Sequence, residues 1–182
     1  MSVIVVEFVT LDGVVEDPDG SGGTATGGWA FRHGPEAVAG DKFRLGSLLD
    51  TGTLLLGRIT WELFAKLWPG RTGEFPDRLN AAGKLVASRT LNDVSAWQNS
   101  SLLQGDLIDV VKREEGDLIV IGSVGIARTL ARHGLVDEYR LLVFPSVVGA
   151  GRRLFDDSVP ADLRLVSSTR AGSAVLSTYR TP

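Results

Sequence analysis

The stretch Leu118-Ile119-Val120-Ile121-Gly122-Ser123-Val124-Gly125 decides how the rest of the 182-residue chain is read. Its four leading residues are all apolar and mostly β-branched, with no polar face. That composition belongs to a strand covered on both sides in a parallel sheet. A glycine turn follows at once, and Ile126 to Arg132 then has helical spacing that Gly134 can cap. Strand, tight turn and helix start are the unit from which α/β domains are built.

Working outward, Thr53-Leu54-Leu55-Leu56-Gly57 repeats the arrangement, with a helix over Ile59 to Leu67 that Trp68-Pro69-Gly70 stops. Lys84 to Ser88 reads as a third strand, Ala96-Trp97 as a short one, and Leu103 to Lys112 as a helix. Toward the N-terminus, Val3 to Val9 is a strand that runs into the Asp12-Gly13 turn. The glycine-rich segment 16–28 follows, with Trp29 and Phe31 at its end. A loop this long in a compact domain is usually functional or disordered. Pro35 opens a helix that carries Val38, Leu45, Leu48 and Leu49 on one face, contains Asp41, and ends near Thr51-Gly52. After Asp137 only strands are expected, over Tyr139 to Val147, Leu163 to Ser168 and Ala174 to Tyr179. The expected architecture is one α/β domain over residues 1–182: a mixed, mostly parallel central sheet flanked by helices, with a C-terminal antiparallel hairpin.

Composition narrows the function. A chain of this length buries about two-thirds of its unfolded surface and needs no disulfide or metal staple. It has no cysteine, which excludes thiolate catalysis and cysteine-ligated zinc and fits a reducing cytoplasm. The two histidines lack metal-ligand spacing, and no G-x-S-x-G elbow is present. A net charge of −3 gives no basic footprint for nucleic acid or an anionic membrane. Glu7 interrupts the apolar N-terminal run well short of a membrane span. A small-molecule substrate is the expected partner. The apolar Val143, Val147 and Val148 in the C-terminal strands add the expectation of a homodimer covering a sheet edge.

Three expected strand ends carry anion-binding groups. Gly122, Ser123, Val124, Gly125 and Ile126 place backbone N–H groups at a helix N-terminus, where the dipole favours a phosphate. Gly57-Arg58-Ile59-Thr60 adds a cation and a hydroxyl at a second helix start. There Arg58 opposes the helix dipole, and an anionic ligand would compensate it. Ser88-Arg89-Thr90 supplies two hydroxyls and a guanidinium at the third. Ligands of open α/β sheets gather outside the carboxyl ends of the strands, so one shared site is the economical reading. His133 beside Gly134 suits a helix C-terminus, and His33 lies next to the long loop.

With these residues in hand, the chain resembles the dihydrofolate reductase-like superfamily, and within it the C-terminal reductase domain of the bifunctional riboflavin-biosynthesis deaminase-reductase. The resemblance rests on Thr10-Leu11-Asp12-Gly13, on Leu55 to Glu62, on Val86 to Leu91, on Val120 to Gly125, and on Leu135 to Glu138 leading to Phe144 to Gly151. It implies an NADPH-dependent reductase. Arg58 and Thr60 then match positions that hold cofactor phosphates, Ser88 and Arg89 the region receiving the 2′-phosphate, and Gly122 to Ile126 the turn under the pyrophosphate and nicotinamide. Phe8, Asp12 and Val15 fall where the first strand and its loop close over the nicotinamide. Trp29, Phe31 and Phe144 are expected to line the substrate side, with Arg32, Lys42 and Arg44 as the nearby basic residues. Counting back from Gly57, Asp41 matches the carboxylate that holds the pteridine in dihydrofolate reductases, so protonation is assigned to Asp41 if it faces the cleft and otherwise to water. The implied substrate is a small heterocycle of pyrimidinone or pterin type. The alternative is an NADPH-binding module that senses or regulates without turnover.

Overall fold

Eight strands join in one sheet of order β4-β3-β2-β5-β1-β6-β8-β7. They are β1 (Val3–Thr10), β2 (Thr53–Gly57), β3 (Gly83–Ala87), β4 (Ser100–Leu102), β5 (Leu118–Ile121), β6 (Glu138–Phe144), β7 (Arg164–Ala171) and β8 (Ala174–Arg180). The computed structural model describes residues 1–155 and 160–182. β1 to β6 pair in parallel, whereas β6–β8 and β8–β7 are antiparallel. The sheet is mixed and mostly parallel, as expected. Its interior strands are mostly apolar because both faces are covered: Val3, Val5 and Val6 in β1 and Leu54, Leu55 and Leu56 in β2 are fully buried.

Among the described residues six short α-helices cover the two faces: α1 (Pro35–Val38), α2 (Leu48–Thr51), α3 (Arg58–Leu67), α4 (Glu74–Ala81), α5 (Leu107–Arg113) and α6 (Val124–Arg132). Val111 of α5 and Ile126, Ala127 and Leu130 of α6 pack with Val3, Val5 and Val9 on one face. Leu49 of α2, Trp61 of α3 and Leu79 of α4 pack with Ile4, Val6, Leu54 and Leu56 on the other. α6 ends as expected: Gly134 is left-handed (φ 64°), and Gly134 N and Leu135 N donate to the carbonyls of Ala131 and Leu130. His133 Nδ1 lies 2.9 Å from the Thr129 carbonyl, which places this ring at the helix C-terminus.

Several expectations are corrected. The single helix expected from Pro35 to near Thr51-Gly52 is two one-turn helices, with Gly40, Arg44 and Gly46 in the left-handed region between them. The interruption has a cause. Asp41 accepts N–H bonds from Leu45 and Gly46 at 2.7 and 2.6 Å, closing a turn that competes with the helix. Arg140 also holds the carbonyls of Phe43 and Arg44. Ala96-Trp97 is a turn, and Trp97 is buried with Nε1 donating to Asn80 Oδ1 at 2.7 Å; the strand there is β4. α5 starts later than Leu103, because Gly105 is left-handed and Asp106 caps the amides of Ile108 and Asp109. Val143 lies on an interior strand and Val147 and Val148 after it, since β8 inserts between β6 and β7. The edge strand at the C-terminal side of the sheet is β7, and β4 forms the other edge.

Asn80 anchors the β3–β4 end. Its Nδ2 donates to the Trp68 carbonyl, its Oδ1 accepts from Trp97, and its backbone carbonyl accepts from the buried Lys84 ammonium, which lies 4.4 Å from the centre of the Trp97 ring. Asn80→Ala strands the buried indole N–H, so a loss of about 1–3 kcal/mol is expected in urea unfolding. An unchanged midpoint would show that the network carries no stability.

Candidate active site

β2 and β5 are neighbours, and each ends directly in a helix. Gly57 is the N-cap of α3 and Ser123 that of α6, and no side chain caps either helix. The two turns are stitched together by hydroxyls. Ser123 Oγ accepts from Gly57 N at 2.9 Å, and Thr60 Oγ1 accepts from Ser123 N at 3.2 Å. Gly122 (φ 58°) and Ser123 (φ 59°) are consecutive left-handed residues. A Cβ at Gly122 would stand 3.3 Å from Thr60 Cγ2, a tight contact, and the positive φ favours glycine there. At Gly125 a Cβ would meet nothing within 4 Å, which leaves open space above the first turn of α6. Neither helix has an acidic residue in its first turn, so both positive dipole ends face outward uncompensated.

Val124 and Ile126 lie in that first turn of α6, Ile126 packing its side chain into the core. Arg58 is exposed and pairs with Glu62 at 3.0 Å. One strand further along, Ser88 Oγ accepts from Thr90 N and Leu91 N, which makes it a turn former. Arg89 and Thr90 are exposed on that turn, and Arg89 has no hydrogen-bond or ion-pair partner among the described residues. The carboxyl ends of β3, β2, β5 and β1 lie side by side in the sheet, so the sequence-expected cofactor residues share one ledge. It is roughly 14 Å long, from three strand spacings.

The sheet splits at this ledge. β1 and β5 stay in register only to Val6↔Ile121, while β1 and β6 continue to Thr10↔Phe144. Gly122 N donates to Val6 O, and strand alternation turns the main-chain N–H and C=O of Phe8 toward the same side, where β5 has ended.

The residues expected on the substrate side are distributed differently from expectation. Phe8 is half-buried at the split, stacked on Phe43 with centroids 5.4 Å apart. Phe144 and Trp29 are fully buried, with ring centroids 5.5 Å apart, and Trp29 Nε1 donates to the Glu16 carbonyl. Val15 is buried in the core. These three side chains offer no surface to a ligand; Phe144 and Trp29 form the wall behind Phe8, and Val15 packs on the α6 face of the sheet. Phe31 is 57% exposed and faces solvent. Asp12 accepts from Thr10 Oγ1 and from the amides of Gly149 and Val148, bonds that hold its carboxyl below the ordinary range and tie the end of β1 to the following loop. Both oxygens of Asp41 close the turn described above, so that carboxylate serves the backbone. His33 Nε2 lies 2.6 Å from Ser146 Oγ. The segment 16–28 is organised around Asp17, whose carboxylate accepts from Gly22 N, Thr24 N and Thr24 Oγ1. A Cβ at Gly27 would stand 2.1 Å from Asp17 Oδ2, so glycine is needed for that wrap. Among the described residues no group of three or more His, Cys, Asp or Glu could hold a metal, and no helix is long and apolar enough to cross a membrane.

A model of the RibD C-terminal domain matches residues 1–177. The chain belongs to that family. It is therefore a member of a reductase family, and its fold is dihydrofolate reductase-like. An uncharacterised protein of Bacillus subtilis, YyaP, is 28% identical over 186 residues, covering 96% of this chain and 91% of that one. The crystal structure of a proposed riboflavin biosynthesis protein from Shewanella sp. PV-4 superposes with a TM-score of 0.76 at 19% identity, covering 100% of this chain and 99% of that chain. At that identity the likeness is one of fold.

One residue of the family's first strand was read in the sequence only as an interruption. Glu7 is 5% exposed, and its Oε1 is buried without a hydrogen-bond partner. Desolvation pushes its carboxyl up to about 8, against a weaker opposing pull from Arg152. In the unfolded chain Glu7 titrates near 4.5, so the native protein keeps a proton that the unfolded chain releases, and stability falls as the pH rises from 4.5 toward 8. Urea unfolding is expected to show that decline, on the order of a few kcal/mol, and Glu7→Gln to flatten it. An equally steep decline in the variant would show that Glu7 is not the titrating group.

Proposed function

We propose that the chain is an NADPH-dependent reductase acting on a small heterocycle of pyrimidinone or pterin type. The observation that supports this most is the pair of uncapped helix N-termini, cross-linked side by side at the sheet split, with a partnerless arginine at the next strand end. The donor set suits a dinucleotide phosphate. First-turn amides of α3 and α6 with Thr60 and Ser123 would face the pyrophosphate, Arg58 would exchange Glu62 for a phosphate oxygen, and Arg89 with Ser88 and Thr90 would meet the 2′-phosphate. The bound cofactor supplies a hydride. The protein's part is to hold the ring at the split through the Phe8 main chain and to exclude water with the wall of Phe144 and Trp29. With Asp41 engaged by two amides, water is the proton source in this reading. That same engagement favours the second reading, a nucleotide-binding module without turnover. Oxidation of NADPH in the presence of pterins, pyrimidinones and quinones separates the two.

Titration of tryptophan fluorescence with NADPH and NADH tests the cofactor directly. Arg89→Ala is expected to weaken NADPH by about tenfold and to leave NADH unchanged, while Arg58→Ala weakens both. If neither nucleotide binds the wild-type protein, the reductase reading falls and the fold assignment remains.

The absence of cysteine supports a cytoplasmic setting. We also propose a homodimer. β7 is an edge strand exposed on both faces over Arg164 to Ser168, with Leu165 at 55% and Val166 at 43%. Light scattering is expected to give twice the 19.4 kDa chain mass, reduced to one by Leu165→Lys with Val166→Lys. A monomeric wild type would dismiss the pairing.

A further inference from the structure

Glu7 has no role in the reading above, yet it stands beside the split in the sheet. Its neighbours along β1 are Val6, the last residue paired with β5, and Phe8, whose main chain faces the gap. Strand alternation places its side chain on the α6 face, between Val5 and Val9 and in the cluster that contains Val15 and Leu154. A carboxyl oxygen buried without a partner among aliphatic side chains destabilises the fold, and leucine there would remove that penalty. A missing ligand group is the simplest account of such an atom.

We propose, on the basis of the NADPH reading, that the Glu7 carboxyl is the recognition group for the nicotinamide carboxamide as the ring enters the split between β1 and β5. A protonated carboxyl carries one O–H donor and one carbonyl acceptor, and a primary carboxamide carries the reciprocal pair. The two close a ring of two hydrogen bonds, which a ketone cannot complete. The surroundings keep Glu7 in that acid form. Among the described residues, Arg152 is paired with Glu16 at 3.0 Å, and Arg128 of α6 donates to the carbonyls of Arg153 and Leu154. Glu7 Oε1 has no hydrogen-bond partner, and burial outweighs the pull of Arg152. Glu7 is thus a positioning residue: it fixes how the ring lies in the gap, while the phosphates are held on the ledge.

The test compares NADPH with its reduced 3-acetylpyridine analogue, in which a methyl group replaces the amide nitrogen, and with 2′,5′-ADP, which lacks the ring altogether. Affinities are measured for wild type, Glu7→Gln and Glu7→Leu. Wild type is expected to bind NADPH about tenfold more tightly than the analogue. Glu7→Gln, which keeps one donor and one acceptor, retains that preference, and Glu7→Leu loses it. 2′,5′-ADP binds all three proteins equally. Raising the pH past about 8 weakens NADPH binding to wild type but not to Glu7→Gln. If 2′,5′-ADP binds and Glu7→Leu still prefers NADPH to the same degree, this proposal fails while the cofactor site stands. If 2′,5′-ADP does not bind wild type, both fall together.

Discussion

Two consecutive left-handed residues at the end of β5 set the geometry on which the rest depends. Gly122 and Ser123 swing the chain out of the sheet one residue after Ile121, so β1 loses its neighbour there while still paired with β6 on its other side. The same swing brings the Ser123 hydroxyl under the Gly57 amide and the Ser123 amide against Thr60. A break in a parallel sheet normally leaves ragged main-chain groups. Here the hydroxyl pair takes up the amides of Gly57 and Ser123 at the β2–β5 junction, and the Phe8 main chain faces the gap. Strain at Ser123, a non-glycine residue in αL, is of a kind that persists where surrounding contacts over-determine it, and both of its polar groups are so fixed.

Most of this was legible in the sequence because it depends on local rules. Buried parallel strands have an unmistakable composition, and the interior runs of β1, β2, β3 and β5 fell where their apolar residues placed them. That the expected anion-binding residues share one ledge was legible for the same reason, since they are whatever follows each strand. What escaped depends on contacts between residues distant in sequence. The segment from Pro35 to Leu49 has helical spacing, but Arg140, nearly a hundred positions away in the chain, takes two of its carbonyls. α4 begins beyond the Trp68-Pro69-Gly70 stop, with Pro76 in its first turn, a position that tolerates proline yet reads as a breaker. Trp29 and Phe144 are aromatic residues beside a loop, and only the packed structure shows that each covers the other. Glu7 did carry a trace: a carboxylate flanked by Val5, Val6, Phe8 and Val9 is anomalous in a strand closed on both faces.

The long glycine-rich loop shows how composition misleads about mobility. Its glycines imply freedom, but several are there because something else occupies the space a side chain would need, as Asp17 does at Gly27. Burial resists ionisation of Asp17, and the hydrogen bonds from Thr24 and Gly22 outweigh it, leaving the carboxyl below its usual range. The loop is therefore wrapped around a negative charge rather than left to wander.

The Arg58–Glu62 pair gives the ledge a property of its own. A surface pair of this type contributes at most about 1 kcal/mol, but Glu62 is tethered one helical turn away and never diffuses off. It acts as a built-in competitor at fixed effective concentration. Chloride and other weakly bound monoanions contend with it poorly, whereas a multivalent phosphate presents several oxygens at once and displaces it. If the ledge holds cofactor phosphates as proposed, this tethered competitor keeps it quiet toward the salt background and makes it select for charge density before any feature of the ligand's shape.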